Sequence, residues 1–296
     1  MPFAVKLWGT RGSIPTPGPS TQRYGGNTAC VEIRSGSTLF ICDGGTGLRE
    51  LGIDLLRRHP DQAIVGHMLF SHPHWDHIQG FPFFEPAYRS ENVFYIYGTF
   101  QEKRHIFELL SGQMNLEYFP VDFSELLARL VPAELSPTGT DIDGVTVRAF
   151  PQHHPGGSLA FSLERDGTKI VYATDVELDD LLLNREESMR DPELPRQFPE
   201  AWLAFVKGAD LLIADGQYTD EEYPGRRGWG HPRATTAVDL AAAAGVKKLL
   251  LTHHDPMQDD RAVDRKIEIC QKRAARLAPT LAVEGAREGM ELLVGR

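Results

Sequence analysis

The chain has 296 residues, 41% of them apolar, and a formal net charge of −10. That length supplies ample chain for a core in one or two domains, and no apolar run is long enough to span a bilayer, so no membrane partner is expected. Acidic side chains (41) outnumber Lys and Arg (31), which argues against a grip on long nucleic acid by counterion release. A small anionic substrate stays compatible, because bound cations would dominate the field inside a pocket. Cys30, Cys42 and Cys270 lie far apart, and Met1–Trp8 lacks the basic head and long apolar stretch of a signal peptide. Reduced thiols in a cytoplasmic protein are therefore expected.

In chain order, Phe3–Trp8, Ala29–Arg34 and Thr38–Cys42 read as strands, and the turn Gly44-Gly45-Thr46-Gly47 opens a helix to about Arg58. Ile64–Phe70 is a buried-type strand that runs directly into Ser71-His72-Pro73-His74-Trp75-Asp76-His77, and Val93–Tyr97 is another, followed by a helix near Gln101–Leu110. The stretch Gly112–Gly144 is expected as a helical insertion over one face. Val145–Phe150, Ser158–Glu164 and Lys169–Ala173 read as strands, with Arg165-Asp166-Gly167-Thr168 as a hairpin turn. Asn184–Pro199 reads as a loop or broken helix. Leu211–Ala214 and Lys248–Leu251 are buried strands flanking the Ala-rich helix Ala234–Ala244, and a helix near Gln258–Leu277 precedes closing strands around Leu281 and Glu291–Val294. Each half begins with antiparallel strands and then takes up helices, which two packed sheets with helices outside satisfy better than one doubly wound sheet. Without a repeat or a linker, residues 1–296 are expected as one domain with insertions near 112–144 and 184–199.

Four ligand-type side chains, His72, His74, Asp76 and His77, fall within six residues after an apolar strand. In an extended segment alternate side chains share a face, so His72 and His74 can address one ion, while Asp76 and His77 can reach a second. Nitrogen and carboxylate donors suit zinc, and also manganese or iron. His59, His67 and His105 have no partners in sequence and read as surface or packing histidines.

This string matches the H-x-H-x-D-H signature of the metallo-β-lactamase superfamily, and the resemblance continues in order along nearly the whole chain. Asp43, in Cys42-Asp43-Gly44-Gly45-Thr46-Gly47, resembles an aspartate that supports the metal loop from behind. Asp175, in Val171-Tyr172-Ala173-Thr174-Asp175, resembles the bridging carboxylate. Of two doublets, His153-His154 and His253-His254, the resemblance favours His154, directly before a Pro-Gly turn, and His253, just after Thr252. The resemblance implies a four-layer αββα sandwich and two divalent ions, zinc first and manganese second. One would be held by His72, His74 and His154, the other by Asp76, His77 and His253, with Asp175 and a hydroxide between them.

The Gly-rich loops Trp8–Ser13 and Tyr24–Thr28 are weak signals as phosphate cradles, since tight turns explain them equally. They are similar to the opening of the phosphodiesterase branch, which includes ribonuclease Z and cyclic-nucleotide phosphodiesterases. Gly230-His231-Pro232-Arg233 resembles that branch's extra histidine motif, with Pro232 where Ser or Thr is usual. The resemblance thus implies a metal-dependent phosphoric diester hydrolase with His231 and Asp76 as catalytic residues and His231 as general acid. The missing bridging Asp of most class B β-lactamases, the carboxylate that a flavodiiron-like centre has in place of His74, and the basic C-terminal region of glyoxalase-type thioesterases all argue against those relatives. The expected substrate is a small phosphodiester, first a 3′,5′-cyclic nucleotide, attacked by the metal-bridging hydroxide. RNA 3′-end processing of the ribonuclease Z kind is the alternative, and a non-catalytic metal-binding signalling module the third reading. Homodimerisation stays open.

Overall fold

The computed structural model describes residues 1–98, 100–101 and 104–295, without the side chains at 100, 101, 104 and 105. The first half runs β1 (Phe3–Gly9), β2 (Cys30–Ser35), β3 (Thr38–Cys42), α1 (Gly47–Arg58), β4 (Val65–Leu69), α2 (Trp75–Ile78), β5 (Val93–Tyr97), a two-residue pair β6 (Phe100–Gln101) and β7 (Arg104–His105), α3 (Ile106–Gln113) and β8 (Arg129–Pro132). The second half runs β9 (Thr140–Ile142), β10 (Val145–Gln152), β11 (Ser158–Arg165), β12 (Thr168–Ala173), α4 (Arg185–Arg190), α5 (Glu200–Val206), β13 (Leu211–Asp215), α6 (Ala234–Ala243), β14 (Lys248–Thr252), α7 (Asp260–Leu277), β15 (Ala282–Gly285) and β16 (Glu291–Val294).

Two seven-stranded sheets result, in the orders β16-β1-β2-β3-β4-β5-β8 and β15-β14-β13-β12-β11-β10-β9. Each is antiparallel where successive strands have no helix between them and parallel where helices intervene. Thus β1, β2 and β3 pair antiparallel while β3, β4 and β5 pair parallel; β9 to β12 and β12 to β15 repeat the scheme. Strand alternation sorts the side chains into layers. On β12, Ile170 and Tyr172 face the core between the sheets with Phe3, Phe40, Leu69 and Phe161, whereas Val171 and Ala173 face α5, α6 and α7 through Trp202, Ala237, Val238 and Ile267. On the far side, Leu48, Leu51 and Leu55 of α1 cover Ile41, Met68 and Phe94. Each such fully buried Leu or Phe contributes roughly 1.5–3 kcal/mol. The four-layer αββα sandwich is the fold.

Two expectations need correction. The helix expected over Gln101–Leu110 begins at Ile106, because the residues before it pair as β6 and β7, and Ile106 and Leu110 are its fully buried positions. The segment Gly112–Gly144 is not a helical insertion over a face: it contributes the outermost strand of both sheets, β8 beside β5 and β9 beside β10. Strands of three or four residues carry too little alternation to be recognised, and Pro132 is tolerated because β8 is an edge. Asn184–Pro199 forms the short α4 and then a loop, as expected of a broken helix. All three cysteines are buried free thiols. Among the described residues no helix is long and apolar enough to cross a membrane.

Candidate metal centre

The parallel strands deliver their carboxyl ends to one edge of the sandwich, where side chains from several strands can converge on a ligand. Three of these strands end in a left-handed residue: Asp43 after β3 (φ 60°), Asp175 after β12 (φ 56°) and His253 after β14 (φ 58°). A non-glycine residue there costs about 1–2 kcal/mol, and such strain persists only where surroundings hold it. The holding bonds are present. Ser158 Oγ donates to Asp175 O (2.7 Å), Thr174 Oγ1 to Asp175 Oδ1 (2.7 Å), and Asp175 N to Asp215 Oδ2 (3.1 Å). The turns abruptly redirect the chain and leave the side chains pointing past the sheet ends.

The side chains gather in three groups whose ligand atoms lie within 4.8 Å of one another: His72, His74 and His154; Asp76, His77, Asp175 and His253; and Asp175, Asp215, His231 and His253. Asp175 joins them. Its Oδ1 lies 3.1 Å from His77 Nε2 and 3.2 Å from His253 Nε2, while its Oδ2 lies 3.6 Å from His72 Nε2 and 3.7 Å from His154 Nε2. Asp76 Oδ2 stands 3.2 Å from His77 Nε2 and 3.1 Å from His253 Nε2. His154 Nε2 and His74 Nδ1 face each other at 3.1 Å.

Second contacts fix which nitrogen each ring presents. His77 donates through Nδ1 to Asp43 Oδ2 (2.8 Å), His253 through Nδ1 to Gln217 Oε1 (2.8 Å), and His154 through Nδ1 to Gly230 O (2.9 Å). His72 Nδ1 meets Ser71 Oγ at 3.0 Å. Each therefore turns Nε2 to the cluster. Asp43 is the organiser expected behind the metal loop: it accepts from Ser71 N, Ser71 Oγ, His77 Nδ1 and Tyr172 Oη. Ser13 N donates to Asp76 Oδ2 (2.7 Å), and Gly12 lies so close to His253 that a Cβ would come within 2.3 Å of its Nδ1. The Trp8–Ser13 loop is thus packed onto the site rather than open as a phosphate cradle. Arg11 is spent inside it on the carbonyls of Gly25, Asp255 and Gln258.

Burial drives the pKa of His72 well below the ordinary imidazole value and that of His154 down to about 4, with Asp175 opposing both shifts. Burial also pulls on His77 and His253, but Asp175 and the other carboxylates prevail, lifting His77 well above its usual value and His253 to about 9. Despite burial, the facing histidines hold Asp76 and Asp175 well below the carboxylate range. A metal fits this arrangement. The donors are nitrogen and carboxylate oxygen, and His72 Nε2 is buried without a hydrogen-bond partner although it points into the cluster.

The doublets separate. His153 is exposed and lies 3.8 Å from Asp180 Oδ2, outside the cluster. His254 turns away, donating through Nε2 to Ala286 O (3.0 Å) and meeting Tyr24 edge-on. His59 bonds Gln62 near the surface, and His67 stacks on Tyr95. The reading of His105 as a packing histidine lies outside the described residues. His231 lies beside the cluster, its ring stacked on His253 (centroids 4.8 Å apart) and its Nδ1 donating to Asp215 Oδ2 (2.8 Å). Sequence reasoning missed Asp215. Its signal was present: an acidic residue directly at the end of an apolar strand, the same placement that marks Asp175. Gln217, which orients His253, and Glu177, which holds the loop carrying His231, had no such signal.

The family model described as the beta-lactamase superfamily domain matches residues 38–254, which contain every residue of the cluster. The chain belongs to the beta-lactamase superfamily. Within this superfamily it is a metal-dependent hydrolase, and its His and Asp cluster is able to bind metal ions. It is 27% identical to the ribonuclease Z of Methanosarcina acetivorans over 284 residues, covering 84% of this chain and 86% of that one. In fold it is similar to the metallo-beta-lactamase fold protein YhfI of Bacillus subtilis (TM-score 0.67, 18% identity, 99% of both chains). It is also similar to the short form of human tRNase Z (TM-score 0.65, 18% identity, 99% of this chain and 100% of that one).

Proposed function

We propose that this superfamily member is a two-metal phosphodiesterase, with one ion on His72, His74 and His154, the other on Asp76, His77 and His253, and Asp175 serving both. The observation that carries the reading is the divided Asp175 carboxylate, one oxygen toward each histidine group. The nitrogen-rich donor set favours zinc, with manganese second. When bound, the ions would lower the pKa of a shared water towards neutrality and polarise the phosphoryl oxygen.

The chain's own groups complete the reaction. Asp76, anchored by the Ser13 amide, stands at the reacting centre as ligand and catalytic carboxylate. His231 gives a proton to the departing sugar oxygen, a strongly basic leaving group. Asp215, buried and bonded to His231 Nδ1, orients that ring.

The favoured substrate is a small nucleotide phosphodiester, first a 3′,5′-cyclic nucleotide. The cavity beside His231 is about 360 Å³, the chain is acidic, and Gly112–Gly144 is folded into sheet edges rather than held out as a basic arm. RNA 3′-end processing is the second reading, favoured by the ribonuclease Z relative that matches most of the chain. The test is a panel on zinc- or manganese-loaded protein: bis(p-nitrophenyl) phosphate, 3′,5′-cyclic nucleotides and precursor tRNA. Turnover of the first two is expected. Cleavage of precursor tRNA with no turnover of any cyclic nucleotide would transfer the assignment to RNA, and inertness towards every phosphodiester would overturn it.

A further inference from the structure

One loop bears both His231 and an exposed tryptophan, and it is unusually well anchored. Glu177, itself buried and two residues beyond Asp175, accepts from Gly228 N (2.6 Å), Gly230 N (2.8 Å) and Tyr223 Oη (2.8 Å). The amides on either side of Trp229 are thereby pinned by one carboxylate. Gly230 in turn accepts from His154 Nδ1, and at φ 90° it sits so close to that ring that a Cβ would come within 2.3 Å of it. Trp229 is nevertheless 57% exposed. A large apolar side chain left in solvent is here held on a backbone fixed to the reacting centre rather than on a loose loop tip.

The cavity that Trp229 lines opens on His231 and is shared with Ser13, Tyr218, Arg226 and Met257. The Arg226 guanidinium lies 4.7 Å from the Trp229 ring centroid and forms no ion pair among the described residues, and the buried Asp255 lines the same cavity. Met257, its amide held by Asp255 Oδ1 (2.8 Å), adds a second exposed apolar side chain. A flat aromatic with a guanidinium packed against it and a volume of about 360 Å³ suit a heteroaromatic ring carried on a sugar phosphate.

We propose that this cavity is a nucleoside subsite in which the Trp229 indole is the stacking platform for the base on the sugar whose oxygen leaves phosphorus. The inference rests on the phosphodiesterase reading. In such a hydrolysis water adds to phosphorus, giving up one proton to solvent, and the bond from phosphorus to the sugar oxygen breaks. The electron pair stays on that oxygen, which takes its proton from His231. The base attached to this sugar must therefore lie on the His231 side, where the cavity is.

The test measures binding as well as activity on the metal-loaded protein, with adenosine 5′-monophosphate and ribose 5-phosphate as probes in calorimetry. Trp229→Ala is expected to weaken the nucleotide about 5- to 100-fold, the range of one base stacked on one aromatic ring. Trp229→Phe should stay near wild type, and ribose 5-phosphate should bind all three proteins alike. Equal nucleotide affinity in Trp229→Ala and wild type, equal weakening of both probes, or no nucleotide binding by wild type would overturn the subsite. The two proposals fail separately. Trp229-dependent nucleotide binding without hydrolysis of any phosphodiester sinks the activity, whereas cyclic-nucleotide hydrolysis with KM unchanged in Trp229→Ala sinks the subsite.

Discussion

The two sides of the cluster are built from the same ring type and differ in protonation before any ion arrives. Around His72, His74 and His154 the group has no carboxylate of its own, so desolvation wins and the imidazoles are neutral, ready to donate a lone pair. Around His77 and His253, Asp76 and Asp175 outweigh the same desolvation, so these rings hold protons that an ion must displace. Burial alone therefore does not predict the state of a histidine. Between these two sides the facing carboxylates, Asp76 and Asp175, make the difference.

The largest break of this contrast comes from the carboxylate that serves both sides. Asp175→Ala should drop the metal content below one ion per chain and cut turnover of every substrate by on the order of 10³-fold, since several kcal/mol of charge stabilisation go with the ions. Elemental analysis beside steady-state rates checks both. His231→Ala is next, and it should keep its metal. Its loss should reach about 10²–10⁴-fold on a cyclic nucleotide but stay small on bis(p-nitrophenyl) phosphate, whose leaving group needs no proton. Equal losses on both substrates would make His231 a positioning residue.

Asp43→Asn should weaken metal binding about 10–100-fold, because Asp43 acts through the orientation of His77 and its bonds to Ser71 and Tyr172 rather than as a ligand. Smaller still is the protonic signature. With His253 raised to about 9 and His154 lowered to about 4, the metal-free fold gains stability from His253 below its unfolded pKa and loses it as pH rises through 9. It gains from His154 above the unfolded pKa and loses that as pH falls towards 4. Zinc titrations near neutral pH in buffers of different ionisation enthalpy should show proton release that His154→Ala does not abolish and His253→Ala reduces. His153→Ala, an exposed side chain, should change neither metal content nor rate.

The sequence reads well where ligands are contiguous. His72 to His77 lie in one string because a strand end and the following turn can present four donors without help from elsewhere. Asp43, Asp175, His154 and His253 became legible only as an ordered series, each placed just after a strand. Asp215 shared that placement but lacked a histidine beside it in sequence, since His231 reaches it from a separate loop. Gln217 and Glu177 act through side-chain and backbone bonds that have no periodicity. In the fold, the long core strands were readable from their apolar runs. The edge strands β8 and β9 were not, because three or four residues at a sheet margin need no alternating face.

Anomalous diffraction at the zinc edge, on crystals of the reconstituted protein, reads the central claim directly. Two peaks are expected, one among His72, His74 and His154 and one among Asp76, His77 and His253, with Asp175 between them. The ligand atoms of Asp175, Asp215, His231 and His253 also lie within 4.8 Å of one another. A single peak there, with His231 as a ligand, would contradict both the two-metal assignment and the general-acid role.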